Sequence, residues 1–304
     1  MAVKTRERKS IYTDIFRNTI QRFGVRAYFV ACVACVACVA CVACVKRSAE
    51  ILTCASVGQR VNSGSDVNEL TIPQHASDDF FSLALRAGTD KVHKNDDPGG
   101  HHYHNAYQKY LFPLRQAKIK FLEIGLGCDM HYGPGKSALL WRELFVHPST
   151  EIWEAEVNVD CAAKWNETMK NRILTGDQAD ETTLRKWIAT TGGEFDVIID
   201  DGGHTYSQQM TSFRILFDSA LKAGGIYFME DLVSNTLPGY EDYPDVPFEK
   251  IRDWTEALML AEHLSNSKAK LKFHEIANLQ SIECFRGMCA FHKCPRSTTG
   301  AQCP

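Results

Sequence analysis

Phe195-Asp196-Val197-Ile198-Ile199-Asp200-Asp201-Gly202-Gly203-His204 reads as an apolar strand that stops in two carboxylates, two glycines and a histidine. A parallel-sheet enzyme presents metal ligands and a base in this way, at the carboxyl edge of its sheet. The pattern returns in Gly224-Gly225-Ile226-Tyr227-Phe228-Met229-Glu230-Asp231, a second apolar run that ends in adjacent acids. Two such ends on neighbouring strands bring up to four carboxylates and one imidazole around one point. Carboxylates that close raise one another's pKa unless a cation sits between them, so the pattern predicts a bound divalent ion. Oxygen ligation favours Mg2+, Mn2+ or Ca2+ over zinc.

Outward from this stretch, apolar runs alternate with helical periodicity. Strands are expected at 119–124, 151–157, near 172–175, 195–200 and 225–230, with helices at about 136–146, 159–170, 180–190 and 206–222. This alternation predicts an α/β fold with a doubly wound, mostly parallel sheet. After a loop at 237–247 rich in Pro, Tyr and Asp, a helix at about 248–264 precedes two strands near 270–276 and 281–291. Their short connection predicts an antiparallel hairpin closing one edge.

The first strand runs Lys120-Phe121-Leu122-Glu123-Ile124-Gly125-Leu126-Gly127 into a loop and then a helix. Glycines at such a turn let a ligand approach backbone amides and the helix N-terminus. Both a dinucleotide fingerprint and a phosphate-binding loop require Gly at position 130, which is Met130, so a dehydrogenase and an ATP or GTP hydrolase are disfavoured. What remains is Glu-x-Gly-x-Gly followed by an acid at the next strand end. Glu156, or alternatively Glu154, is placed to accept hydrogen bonds from ribose hydroxyls. Asp177 follows the third strand, where it either bonds an adenine amino group or caps the next helix.

These features together resemble the class I S-adenosylmethionine-dependent methyltransferases. With Gly88-Thr89-Asp90-Lys91, Asp200 to His204 and Glu230-Asp231, the chain is similar more narrowly to the metal-dependent macrolide-sugar O-methyltransferases of the mycinamicin and demethylmacrocin type, over roughly 86–240. The resemblance implies a Rossmann-like methyltransferase domain at 79–292, with S-adenosylmethionine and Mg2+ or Mn2+ as cofactors. It implies Asp201, Glu230 and Asp231 as metal ligands and His204 as general base at the acceptor hydroxyl. It further implies that Glu123, Gly125, Gly127, Glu156 and Asp177 line the donor site, and that Lys91 and Tyr107 belong to a lid over it. The chain differs from the family's usual pattern at Gly203, where Ser is usual, and at Glu156, where Asp is usual.

The N-terminus has a different character. Between Arg26 and Lys46, residues 27–45 carry no charge and contain five consecutive Ala-Cys-Val units. That length matches the ~20 apolar residues of a membrane-crossing helix. A single transmembrane anchor is expected here, after a basic tail at 1–26 and before a flexible stem at 46–78, with a signal peptide as the competing reading. A single-pass membrane localisation follows, the catalytic domain lumenal or, in the inverted orientation, cytosolic. Of the remaining cysteines, Cys284, Cys289, Cys294 and Cys303 crowd the end of the chain, where one or two disulfides are expected around the tail at 293–304.

A net charge of -3 over 304 residues offers no basic surface for nucleic acid. The expected partner is a small-molecule or glycan hydroxyl acceptor, and a homo-oligomer stays open. Residues and resemblance together support a metal-dependent O-methyltransferase acting on a sugar or other polyol. Two alternatives stand beside it: a catalytically inactive binding protein of the same fold, and another oxygen-ligated metal enzyme such as a hydrolase.

Overall fold

The acid-tipped runs around Ile198 and Phe228 lie side by side near the middle of a mixed sheet. The structure, a computed structural model, describes residues 79–93, 100–260 and 276–296, all within the unit Thr71–Pro304. Its strands are β1 (Lys120–Ile124), β2 (Glu151–Glu156), β3 (Ile173–Thr175), β4 (Phe195–Asp200), β5 (Leu221–Met229), β6 (Leu279–Cys284) and β7 (Cys289–Lys293). Their order is β3-β2-β1-β4-β5-β7-β6. The first five pair in parallel, and β7 runs antiparallel to both β5 and β6. The chain leaves β1 toward β2 on one side and meets β4 on the other. Such a reversal of strand order opens a crevice at the carboxyl edge.

Both faces of the sheet are covered, which is why its strands are apolar almost without interruption. Phe121, Val197, Ile199 and Phe228 pack with Phe80, Tyr107 and Trp141 on one face. Leu122, Ile198, Tyr227 and Met229 pack with Leu184, Phe213 and Trp254 on the other. The helices are α1 (Phe80–Ala87), α2 (His104–Tyr110), α3 (Lys136–Leu144), α4 (Val159–Trp165), α5 (Glu181–Thr191), α6 (Tyr206–Ser212) and α7 (Pro247–Leu260). Their starts are chemically marked. Asp79 caps α1, Asn158 caps α4, Asp180 caps α5, and Thr205 with Gln208 forms a capping box on α6.

Three expectations change. The helix expected to reach 222 passes into a π-helical turn, Phe213–Phe217, and gives way to β5 at Leu221. The antiparallel hairpin exists, but its strands are Leu279–Cys284 and Cys289–Lys293 rather than 270–276 and 281–291; residues 261–275 lie outside those described. The membrane localisation is corrected as well: among the described residues no helix is long and apolar enough to cross a membrane. The stretch 27–45 that carried that expectation lies outside the described residues.

Candidate active site

Strand register gathers the site. Ile124 pairs with Asp200, and Asp200 with Met229, so Gly125, Asp201 and Glu230 leave the sheet at one level. Gly125 and Asp201 border a cleft of about 570 Å³, within the range of small-ligand sites. Asp201, His204 and Asp231 line it together with Gly125 to Cys128, Glu156 and Gly176 to Gln178.

At the acidic end, one ligand atom each from Asp201, His204 and Asp231 lies within 4.8 Å of the others. His204 Nε2 is 3.5 Å from Asp231 Oδ2 and 4.0 Å from Asp201 Oδ1. Two carboxylates with an imidazole beside them fit a hard divalent ion. His204 and Asp231 both adopt left-handed backbone, with φ of 60° and 53°. Non-glycine residues rarely do so outside sites where the surroundings enforce it. The enforcement is visible: Asn235 donates to the His204 carbonyl and to Gln209 Oε1, and Gln209 donates to the Glu230 carbonyl. This brace ties the two acidic turns together. Tyr103 donates to Asp231 Oδ1 at 2.7 Å. Burial, with Asp231 and Glu230 nearby, holds its phenol far above the usual range, so it stays a donor.

Beneath the cleft is a second, enclosed layer of charge. Lys91, 1% exposed, donates to Asp201 Oδ2 at 2.8 Å and to both Glu230 oxygens at 2.9 Å, and stands 3.3 Å from Glu123 Oε1. Burial alone pulls an ammonium pKa down; here Asp201, Glu230 and Glu123 outweigh it and keep Lys91 charged. Tyr107 also donates to Glu230. Lys91 and Tyr107 thus sit under the acids rather than in a lid over the donor. The Glu230 carboxylate points to this layer, outside the group formed by Asp201, His204 and Asp231. Glu123 accepts from Ser137 at 2.7 Å and is fully buried, so it does not border the cleft as expected. Directly opposite it in register is Glu154. Burial and then Glu123 push the Glu154 carboxyl well up, into its neutral form.

The other expected donor residues border the cleft. Glu156, at the end of β2, accepts from the Asn158 amide at 2.9 Å. Asp177 accepts from the Ala179 amide, while Asp180 is the residue that caps α5. Gly127 takes φ 75°, and Gly125, at φ 105°, lies so near the Asp201 carbonyl that a Cβ would fall 2.0 Å from it. Gln178, buried, donates to Asp200 and accepts from the Gly203 amide, joining the donor side to the acidic turn. At Gly203, a Cβ would meet the end of the Gln208 side chain of the capping box at 2.1 Å.

Other residues divide. Tyr240 borders the cleft near His204, Tyr243 stacks on Tyr206, and Trp254 is core packing against Phe213. Of His101, His102 and His104, which crowd the start of α2, His101 borders the cleft, 3.7 Å from Asp231. Sequence reasoning missed Tyr103, Tyr132 and the Cys128–Cys161 disulfide, which ties the loop after β1 to α4. Parallel neighbours such as β1 and β2 put their following segments side by side, but no cysteine spacing announces that. In the hairpin, Cys284 and Cys289 are joined, and Cys294 is disulfide-bonded too.

No protein-family model matches the chain. It is 34% identical over 164 residues, 53% of its length, to the 8-demethyl-8-(2-methoxy-alpha-L-rhamnosyl)-tetracenomycin-C 3'-O-methyltransferase of Streptomyces olivaceus, covering 39% of that protein. To the mycinamicin VI 2''-O-methyltransferase of Micromonospora griseorubida it is 31% identical over 46% of its length, covering 33% of the relative. The chain therefore spans well under half the length of these relatives. Among solved structures, the MycE methyltransferase from the mycinamycin biosynthetic pathway, in complex with Mg and SAH, superposes with a TM-score of 0.60 at 24% identity, over 73% of this chain and 55% of that one. The fold is that of the class I S-adenosylmethionine-dependent methyltransferases. Within that class, the sequence resembles the sugar O-methyltransferases of macrolide and related glycosides.

Proposed function

We propose that the protein is an S-adenosylmethionine-dependent, divalent-metal-dependent O-methyltransferase acting on a hydroxyl of a sugar or other polyol. One observation carries the reading: two hard-ion ligands, Asp201 and Asp231, with the imidazole of His204 beside them, share a single cleft with the glycine-lined turn after β1. Gly125, Gly127, Glu156 and Asp177 hold the methyl donor, with Glu156 accepting from its ribose. Glu123 supports that end from below through Ser137 and Lys91. Asp201 and Asp231 hold the ion, and Glu230 backs them from the buried layer. A divalent ion held there would polarise an acceptor hydroxyl and lower its pKa. His204 takes the proton at Nε2, because its Nδ1 is enclosed without a partner. The hydroxyl oxygen then bonds the methyl carbon as the carbon–sulfur bond breaks, its electrons passing to sulfur. Relatives named for rhamnosyl and mycinamicin acceptors support a glycoside as substrate class.

Calorimetric titration of S-adenosylmethionine and of Mg2+ into the full chain, repeated on Asp201→Asn and His204→Ala, tests this. Donor binding is expected in all three proteins and an Mg2+ signal only where Asp201 is intact. With a panel of rhamnosides and labelled donor, His204→Ala is expected to lose methyl transfer while keeping donor binding. Absence of donor binding in the unaltered chain overturns the methyltransferase reading.

A further inference from the structure

Resting on the ion centre proposed above, one question concerns the buried layer: why a site built to attract a cation already contains one. Lys91 is enclosed, packs its ammonium 5.8 Å from the Trp141 ring centroid, and touches Asp201, Glu230 and Glu123 together. It reaches them from a segment 110 positions before Asp201. The contact to Asp201 is through Oδ2, while Oδ1 is the oxygen on the His204 side. One carboxylate is thus shared between a fixed internal cation and the open end of the cleft.

We propose that Lys91 is a positioning residue that weakens the divalent site on purpose: its fixed charge offsets part of the carboxylate field, so that the ion is held firmly only when acceptor oxygens complete its shell. A unit charge within a few ångströms of an ion changes its affinity severalfold to many-fold even in a polar interior. The sign is diagnostic. A residue that merely keeps the acids in place loses ion affinity when removed; a residue that opposes the ion electrostatically gains it. The consequence for catalysis is that ion and acceptor enter as a coupled pair, the free protein holding the metal more weakly than the complex with acceptor.

The test uses Mn2+ alone as probe, titrated calorimetrically and by its paramagnetic resonance into the full chain and three variants. Lys91→Met is expected to bind Mn2+ at least about tenfold more tightly. Glu123→Gln, which leaves Lys91 less neutralised, is expected to bind about tenfold more weakly. The double variant Lys91→Met with Glu123→Gln restores the net charge and is expected within about threefold of the parent. Equal or weaker binding by Lys91→Met, or a double variant that follows the single one, overturns the role while leaving the ion centre standing. Should Lys91→Met not fold, Glu123→Gln and the charge-balanced double variant decide: unchanged affinity in Glu123→Gln, or a double variant well away from the parent, overturns it. Failure of the unaltered chain to take up Mn2+ overturns the ion centre itself and this inference with it.

Discussion

The ends of β4 and β5 each carry two acids, and the pairs divide in the same way between inside and rim. Asp200 and Glu230 are 0% and 1% exposed; the Asp201 and Asp231 side chains are 21% and 17% exposed. The two inner acids point to opposite faces of the sheet and are compensated differently. Asp200 accepts neutral hydrogen bonds from Gln178, Ser212 and Tyr227. Glu230 meets a cation, Lys91, supported by Tyr107. On the α6 side, dipoles from α6, from β5 and from the turn after β3 do the compensating; on the other, a full charge is imported from a segment that precedes the sheet. A carboxylate anchored by dipoles is a fixture of the fold, whereas one balanced by a charge from outside the sheet can be tuned without rebuilding it.

Exchanging charge between rim and interior is the sharpest way to break this contrast. Asp231→Asn is expected to lower Mn2+ affinity about a hundredfold or more, with little change in the melting temperature. Asp200→Asn is expected to do the reverse, costing about 2–3 kcal/mol in denaturant unfolding and leaving ion affinity nearly intact. Equal effects in the two assays would falsify the division. A smaller change separates dipole from charge: Ser212→Ala removes one of the three donors to Asp200 and is expected to cost about 1 kcal/mol. The smallest concerns Glu154. Its carboxyl is held well above the ordinary range by burial and Glu123, so the fold keeps a proton that the unfolded chain releases. Stability therefore falls as pH rises from the ordinary carboxylate range toward the raised one. Glu154→Gln is expected to flatten that fall, matching the parent in acid and exceeding it in mild alkali, as unfolding curves at several pH values will read.

Much of this was legible in residues that obey simple rules. The β1, β2, β4 and β5 strands announce themselves because burial on both faces demands continuous apolar runs, and Asp201, His204 and Asp231 because carboxylates at adjacent strand ends converge. Boundaries failed where rules compete. Leu221 and Lys222 continue a helical pattern from α6, yet Leu221 pairs with Phe195 and both belong to β5. The hairpin shifted because strand propensity alone does not fix register at an edge. Lys91 lay beyond local reasoning, since nothing in the spacing of Gly88 to Lys91 says which acids it meets. Glu123 was expected at the donor site from the resemblance alone, but its side chain turns inward to Lys91 and Ser137.

Gly125 and the Asp201 carbonyl meet backbone to backbone, with no side chain between them. Their spacing is set by the β1–β4 ladder, in which Ile124 pairs with Asp200. The interval between the glycine-lined half and the acid half is therefore a property of the sheet rather than of any replaceable residue. On the proposed function, drift in the walls around Tyr240 and His101 changes which hydroxyl is accepted while that interval stays constant, so acceptor choice and reaction geometry are free to evolve at different speeds.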